Sequence, residues 1–316
     1  MNAIGWFIGG PYLYICLLLF VGITAWKVYG YATMPRHLRW DLYPLPHRIG
    51  GSKYQKVDFY KLKQKTSLLD EFSYMFMEIV FIRKAFIHNP KVWAGSFPMH
   101  MGLYLSILWL FLLGIGIVAD KMFHLPGVAV NGWFWITALY VVTVLIGSLA
   151  LVLGLTGASW LMVLRLTNEG LRDMSDIPAY LNLSLLIAMF GSGLAAWFFA
   201  DPDFVLLRGQ LGSLFVFAPT IPGHWLISLE IFFMGLFLAY LPFSRMSHYA
   251  AKYFFYHDIM WDDEPMKAGS SLEKNVVHSL GGKLSWSASH IKQDQSWLAQ
   301  VSPDEVKSGK EGAEKQ

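Results

Sequence analysis

The sequence has little cysteine and little charge. Among 316 residues there is one cysteine, Cys16, and Asp, Glu, Lys and Arg together make up 15%. A single thiol cannot form an intrachain disulfide, the thiolate set of an iron–sulfur cluster or a c-type haem attachment. We therefore interpret Cys16 as a packing residue, and any redox cofactor must be held by histidine or methionine.

The net charge of +3 is too small to indicate a nucleic-acid-binding surface. Apolar residues, in contrast, are abundant. The chain is 55% hydrophobic and 16% aromatic, and its mean hydropathy is +0.41. This composition is typical of an integral membrane protein, in which aromatic residues gather where helices meet the lipid headgroups. The lipid bilayer is thus a predicted partner, and nucleic acid is not.

Five apolar segments are each long enough to cross a hydrocarbon core of about 30 Å as a helix. They cover residues 8–29, 97–119, 133–156, 179–199 and 223–245. The sequence therefore predicts an all-α bundle of five transmembrane helices within residues 1–248. Residues 201–222, between the fourth and fifth segments, are predicted to form a re-entrant or interfacial cap.

The distribution of basic residues predicts the orientation of the bundle in the cytoplasmic membrane. Residues 1–10 contain no Lys or Arg, whereas residues 36–91 contain eleven. The positive-inside rule places that loop in the cytoplasm and the N-terminus outside, with the first segment as a retained anchor.

Two further parts of the chain are predicted to lie on the cytoplasmic side. Residues 67–88 mix charged and apolar residues at helical spacing and predict an interfacial helix, while Glu78 near the middle disfavours a sixth span. Residues 249–316 are predicted to be a tail that docks a partner and ends in a disordered stretch.

Three of the ten histidines touch the predicted spans, namely His100, His224 and His248. His100 opens the second span and His248 closes the fifth, so both are expected at similar depth on the cytoplasmic side. Two neutral imidazoles about 4 Å apart on neighbouring helices can ligate one haem iron. A lone histidine at a helix end is more often an interfacial residue, and that alternative stays open for each of the three.

The motifs PFSRMSH, which ends the fifth predicted span, and SFPMHMGLYL, which starts the second, carry a family resemblance. They resemble the end of the last helix and the start of the second helix in the gamma subunit of respiratory nitrate reductase, a membrane cytochrome b. The sequences RWDLYPLPH, KYFFYHDIMWDDEP and LSWSASHI are similar to the branch found in sulfate-reducer respiratory complexes, beside sulfite-reduction-associated and heterodisulfide-reductase-like subunits. The resemblance covers nearly the whole chain. It implies a haem b ligated by His100 and His248.

The sequence departs from the two-haem members of that family. Their second pair of ligands falls on Leu110 and Glu230 here. One haem b is therefore predicted, and a second is either lost or relocated to His124 and His224. About 24 residues of helix would put such a relocated haem roughly 36 Å from the first, too far for easy electron exchange.

Two charged residues near these histidines have alternative interpretations. Arg245 is a candidate partner of a haem propionate, although ordinary positive-inside anchoring explains it equally well. Glu230 lies eighteen residues before His248, which on a continuous helix puts both on one face. It is the candidate acceptor of a quinol proton in an outer pocket that includes His224, and a hydrogen-bonded structural acid is the alternative.

The resemblance implies an electron-transfer subunit of a quinone-linked oxidoreductase. It would exchange electrons between menaquinone and a cytoplasmic iron–sulfur subunit, and an extracytoplasmic multihaem cytochrome c is a further implied partner. The alternative class is a haem-free membrane anchor or a small transporter. A transporter is expected to have inverted repeats or broken helices, and the sequence indicates neither.

Overall fold

The computed structural model describes residues 2–33, 68–123, 134–255 and 268–301 of the chain. Within these ranges the backbone is helical, apart from connecting loops and two isolated β-bridges. Five of the described helices are long and apolar enough to span a membrane. They run over Ala3–Thr33, Pro90–Lys121, Phe134–Thr167, Ile177–Phe199 and Trp225–Phe243. The predicted all-α membrane bundle with five spans is confirmed.

We label the described helices in chain order: α1 (Asn2–Phe7), α2 (Leu13–Thr33), α3 (Leu68–Val80), α4 (Arg83–His88), α5 (Pro90–Phe123), α6 (Phe134–Thr167), α7 (Glu169–Asp173), α8 (Ile177–Phe199), α9 (Val205–Phe215), α10 (Trp225–Tyr240), α11 (His248–Phe255), α12 (Ser271–Leu280) and α13 (Trp297–Val301). The inner end of the bundle is the end at which α5 begins and α10 ends. The outer end is the opposite one. The basic residues of the sequence predict that the inner end faces the cytoplasm.

The first span is interrupted by one π-helical stretch, Ile8–Tyr12, between α1 and α2. Its two glycines are buried because other chain segments lie directly against their backbone. A Cβ on Gly9 would be 2.7 Å from Gln210 Nε2, and one on Gly10 would be 2.5 Å from Pro219 Cβ. Such distances are too short for any side chain. The first span is therefore fixed against the segment that precedes α10.

Helices α5 and α6 pack backbone to backbone. A Cβ on Gly102 would lie 2.5 Å from Gly154 Cα, and one on Gly157 would lie 2.3 Å from Met99 N. Small residues that allow this approach are typical of helix pairs in membranes, where packing, rather than exclusion from water, holds helices together. Because His100 lies between Met99 and Gly102 on α5, this contact fixes its position in the bundle.

The core of the bundle is apolar and continuous across α5, α6, α8, α9 and α10. Its most completely buried large side chains include Leu113, Phe190, Phe204, Ile227 and Ile231. Both long helices of the α5–α6 pair extend past the apolar stretches in the sequence. Helix α5 begins at Pro90 instead of residue 97, and α6 ends at Thr167 instead of residue 156. Hydropathy identifies only the apolar part of a helix, whereas the backbone hydrogen bonds of α5 and α6 continue into the more polar residues that follow or precede it.

The predicted cap at the outer end contains a helix, α9, which at 11 residues is too short to cross a membrane. Asp201 begins it by accepting the backbone N–H groups of Leu206 at 3.0 Å and Leu207 at 2.8 Å. Gln210 then donates its side-chain amide to the carbonyl oxygens of Gly9 at 2.8 Å and Thr220 at 2.9 Å. The cap is thus bonded to the first span and to its own return segment.

The fifth span does not continue as one α-helix to His248. Helix α10 ends at Tyr240 and is followed by two 3₁₀ turns, Leu241–Phe243 and Arg245–Ser247, with Ser244 extended between them. Pro242 lies in the first turn, where proline is compatible with the start of a helix but not with the interior of a continuous one. The prediction that Glu230 and His248 share one helical face is therefore wrong, since the register is interrupted between them.

The predicted single interfacial helix at residues 67–88 is two helices, α3 and α4. They are separated at Ile82, which has a left-handed backbone (φ 51°). The hydroxyl of Tyr104 on α5 donates to the carbonyl of Ile79 at 2.8 Å, and the Trp93 indole donates to the carbonyl of Phe81 at 2.8 Å. Both bonds hold this region against the start of α5.

The chain divides into two compact units, the first formed by Met1–Trp26 and Ser73–His248 and the second by Lys27–Phe72 and Tyr249–Gln316. In the second unit, Ser270 caps α12 by accepting the Glu273 N–H at 3.1 Å. Leu284 and Ile291, between α12 and α13, are buried. The tail is therefore folded locally over residues 268–301. Its predicted disordered end, residues 302–316, lies outside the described residues, as does most of the basic loop.

Candidate functional site

His100 lies within α5 near the inner end and is half-buried. Its Nδ1 donates to the carbonyl oxygen of Ser96, one turn earlier, at 2.7 Å, and the Ser96 hydroxyl oxygen lies 3.3 Å from the same nitrogen. Because a carbonyl oxygen can only accept, the proton of the neutral ring is on Nδ1. The lone pair of the ring is then on Nε2.

His248 lies where the second 3₁₀ turn passes into α11. Its Nδ1 donates to the carbonyl oxygen of Arg245 at 3.2 Å, which assigns it the same tautomer as His100. The turn is closed by Ser244, whose hydroxyl oxygen accepts the Met246 N–H at 3.1 Å. The break in the fifth span therefore gives His248 a defined position despite the end of α10.

The structure brings these two histidines together. Their ring centres are 6.1 Å apart, and the ring planes are inclined by 54°. In metal sites, a histidine that donates its second ring N–H to a carbonyl is held in the tautomer and orientation needed for ligation. Both members of the pair have such a bond, so each ring is held in one tautomer and orientation.

The distance between the ring centres is close to that of two imidazoles that share one metal. With a metal–nitrogen bond of about 2.0 Å and ring nitrogens about 1.2 Å from the ring centre, two imidazoles on opposite sides of one iron have centres about 6.4 Å apart. The observed 6.1 Å is close to this value. Among the described residues no group of three or more His, Cys, Asp or Glu side chains could hold a bare metal ion. A haem needs only two protein ligands, because the porphyrin supplies four.

Arg245 makes an ion pair in this structure. Its Nη2 lies 2.6 Å from Asp176 Oδ2, and the two side chains are 77% and 40% exposed. The other carboxylate oxygen of Asp176 accepts the Ala179 N–H at 3.2 Å and caps α8. Asp176 was not predicted as a site residue. Its signal in the sequence is an aspartate just before Ile-Pro at the start of an apolar run, which is typical of a helix N-cap.

His224 has a different role from the inner pair. It is the N-cap of α10, and its Nδ1 accepts the Leu226 N–H at 3.2 Å. The lone pair on Nδ1 is therefore used by the backbone, and the proton of the neutral ring is on Nε2. His124, the second histidine of the predicted ligand pair for a relocated haem, lies outside the described residues. Leu110 occupies the position of the other ligand of the second haem in two-haem members of the family, and it is 36% exposed.

Glu230 is buried within the bundle, with 5% of its surface exposed. Its carboxyl group lies against α8 at Gly193, where a Cβ would be only 3.2 Å from Oε1. The carboxyl of Asp201, at the start of α9, is near enough to interact with it electrostatically. A carboxyl group in this position is either a functional proton acceptor or a neutral structural acid. Its role in quinol oxidation stays a prediction.

Sequence reasoning missed a second ionic group, at the outer end. Arg208 of α9 is 3% exposed and its Nε donates to Asp120 Oδ2 of α5 at 2.8 Å. Tyr140 of α6 donates its hydroxyl to the other oxygen of Asp120, and the Arg208 guanidinium lies 4.3 Å from the centre of the Tyr140 ring. We call these three residues the outer cluster. The sequence does contain one signal for this cluster. Arg208 lies in a segment predicted to be outside, where the positive-inside rule disfavours basic residues.

No protein-family model matches this chain, and no curated protein matches it significantly. The family resemblance described above therefore stays an expectation that rests on the motifs.

Proposed function

We propose that this protein is the membrane cytochrome b subunit of a respiratory complex and that it exchanges electrons between menaquinone and a partner redox subunit. The observation that carries the proposal is the arrangement of His100 and His248. Their ring spacing of 6.1 Å and their matching Nδ1 bonds to backbone carbonyls support ligation of one haem iron by this pair. The family resemblance supports the same pair independently.

His100 and His248 would hold one haem b, which supplies a reversible one-electron carrier when bound. The chain's own contribution is the rigidity of the two rings. His100 is fixed by the close contact of α5 with α6, and its rotation by the Ser96 carbonyl. His248 is fixed by a closed turn and by the Arg245 carbonyl.

Glu230 is the proposed acceptor of a quinol proton. It is buried next to Gly193, away from bulk water, and a buried carboxyl can be tuned toward the proton affinity that general-base catalysis needs. Its position in the first turns of α10 supports a quinone pocket toward the outer end. In this proposal His224 caps the helix that carries Glu230 and contributes no ligand.

The proposed partners follow from the resemblance and from the chemistry of a one-electron carrier, which needs a donor and an acceptor. We propose a cytoplasmic iron–sulfur subunit at the inner end and an extracytoplasmic multihaem cytochrome c at the outer end. The cytoplasmic membrane is the proposed location. Reporter fusions after Arg48 and after Asp263 should both read cytoplasmic, and an extracytoplasmic signal at either would contradict this orientation.

The visible spectrum of the purified protein tests the haem assignment. We expect a b-type alpha band after reduction with dithionite, and a pyridine haemochrome assay should give one haem per chain. Two haems per chain would favour the alternative in which a second haem is bound by His124 and His224. If protein isolated from haem-sufficient cells has no such band, the alternative class of a haem-free anchor or small transporter is favoured.

A further inference from the structure

The carboxylate of Asp176 joins two parts of the inner end. Oδ1 accepts the Ala179 N–H at 3.2 Å and so belongs to the N-terminus of α8. Oδ2 lies 2.6 Å from Arg245 Nη2, in the turn that precedes His248. The loop that carries Asp176 is itself fixed, because Arg165 of α6 donates to the Ser175 hydroxyl at 2.6 Å and that hydroxyl donates to the Leu171 carbonyl at 2.6 Å.

The other end of this connection is His248. Arg245 provides the carbonyl oxygen that accepts from His248 Nδ1, so the residue held by Asp176 also orients the imidazole. Helix α10 has already ended at Tyr240, and the extended Ser244 interrupts the hydrogen-bond ladder. The depth and rotation of His248 are therefore set by the turn and by what the turn contacts.

We propose that Asp176 is a positioning residue for His248 and that it acts through Arg245. The proposal rests on the proposed function in one respect, namely that His248 is a haem ligand. The alternative role for Arg245 is an ion pair with a haem propionate. The two roles differ in one expectation: if Arg245 acts only through Asp176, replacing Arg245 has no further effect once Asp176 has been replaced.

The exposure of the pair determines which quantity should respond. Ion pairs between exposed side chains contribute little to the free energy of unfolding, since water and salt screen them. Arg245 is 77% and Asp176 40% exposed. Loss of the pair should therefore loosen the turn at His248 while leaving the overall stability of the bundle nearly unchanged.

Asp176→Asn is the appropriate substitution because asparagine caps a helix as well as aspartate does. The variant keeps α8 capped and removes only the charge. Arg245→Gln removes the other charge, and Arg245→Lys is the conservative variant that keeps the charge and should behave as the wild type. Asn168→Ala is the matched control, because Asn168 caps α7 in the same loop, accepting from Leu171 N at 3.0 Å, without contact to Arg245.

The first measurement does not depend on haem. Hydrogen–deuterium exchange of the full chain in nanodiscs should be faster at residues 244–250 in Asp176→Asn and in Arg245→Gln, by roughly two- to fivefold. The double variant should exchange no faster than either single one, and residues around His100 should not change. Unchanged exchange in Asp176→Asn, or effects of the two substitutions that multiply, would overturn the positioning role.

The second measurement uses the haem-loaded protein. The electron paramagnetic resonance of a ferric low-spin haem reports the angle between its axial imidazole planes. We expect Asp176→Asn and Arg245→Gln to give the same altered spectrum, and Arg245→Lys and Asn168→Ala to give that of the wild type. An altered spectrum in Arg245→Gln alone would overturn the proposal in favour of a propionate role. Absence of haem from the wild type would contradict the proposed function, while the exchange result would still decide the role of Asp176.

Discussion

Each end of the bundle has an ion pair between an arginine and an aspartate, and the two pairs differ in their exposure. At the inner end, Arg245 and Asp176 are 77% and 40% exposed, whereas at the outer end Arg208 and Asp120 are 3% and 24% exposed. A buried pair is costly to break because removal of one partner leaves an uncompensated charge, but an exposed pair is not. The outer cluster therefore holds helices together, and the inner pair orients a turn.

The histidines at the two ends also differ, in the hydrogen bond that the ring nitrogen Nδ1 makes. His100 and His248 donate from Nδ1 to carbonyl oxygens, whereas the Nδ1 of His224 accepts from a backbone N–H. The first arrangement gives an imidazole suited to a metal, and the second gives a helix cap. The tautomer assigned from the hydrogen-bond partner thus distinguishes ligand candidates from structural histidines of similar sequence context.

The largest effect should come from loss of either inner histidine. His248→Ala or His100→Ala is expected to abolish the low-spin b-type spectrum, because one imidazole leaves the haem loosely held. Membrane insertion should be unaffected. The spectrum and the haem content of the purified variants are the measurements, and His224→Ala is the control that should keep both. A complete low-spin spectrum in either inner variant would exclude that residue as a ligand.

The next largest effect should be on a rate. Glu230→Gln keeps the size of the side chain but cannot take up a proton, so reduction of the haem by a menaquinol analogue should slow by roughly 10²- to 10⁴-fold. Stopped-flow absorbance measures this while haem content is checked to be normal. A structural acid would give nearly wild-type kinetics in this variant. In that case Glu230 belongs to the packing of α10 against α8.

The third effect compares one substitution at both ends. Asp120→Asn should reduce the free energy of unfolding by roughly 3–5 kcal/mol, since the buried charge of Arg208 loses its counterion. Asp176→Asn should cost at most about 1 kcal/mol, because its pair is exposed and asparagine still caps α8. Denaturation of the purified protein in mixed micelles gives both values. Similar costs at the two positions would show that the difference in exposure does not govern stability.

The smallest effect should be that of the outer histidine. His224→Ala removes the cap of α10 and should cost about 0.5–2 kcal/mol of stability, whereas His224→Asn should recover most of it because asparagine is a good cap. Thermal unfolding in detergent measures the difference. Loss of haem in both variants, with insertion intact, would reassign His224 as a ligand.

The spans and the histidine pair could be predicted because their signals are local or follow from topology. Each apolar segment is long enough by itself to indicate a helix, and alternation of the spans places His100 and His248 at the same end. The break after Tyr240 also has a local signal in Pro242, although the apolar run around it indicates one continuous helix.

Other features have no local signal. Asp120 and Arg208 are 88 residues apart in sequence, and nothing around either residue indicates the other as partner. The separation of α3 from α4 occurs at Ile82, where no glycine or proline is present to indicate a left-handed residue. Asp176 was recognisable as a cap, but its second partner follows only from the way the turn after α10 lies against α8.

The separation of Asp120 from Arg208 also has a consequence for synthesis. A ribosome that adds roughly 5–20 residues per second needs roughly 4–18 s to make the 88 residues between them. The α5–α6 hairpin is completed partway through that interval, when α6 ends at Thr167, and until residue 208 is made Asp120 has no arginine partner. Asp120 lies near the end of α5, and its side chain is still 24% exposed in the complete bundle. The docking of α9 through Arg208 is then a late event in assembly, because it follows the synthesis of both α5 and α6.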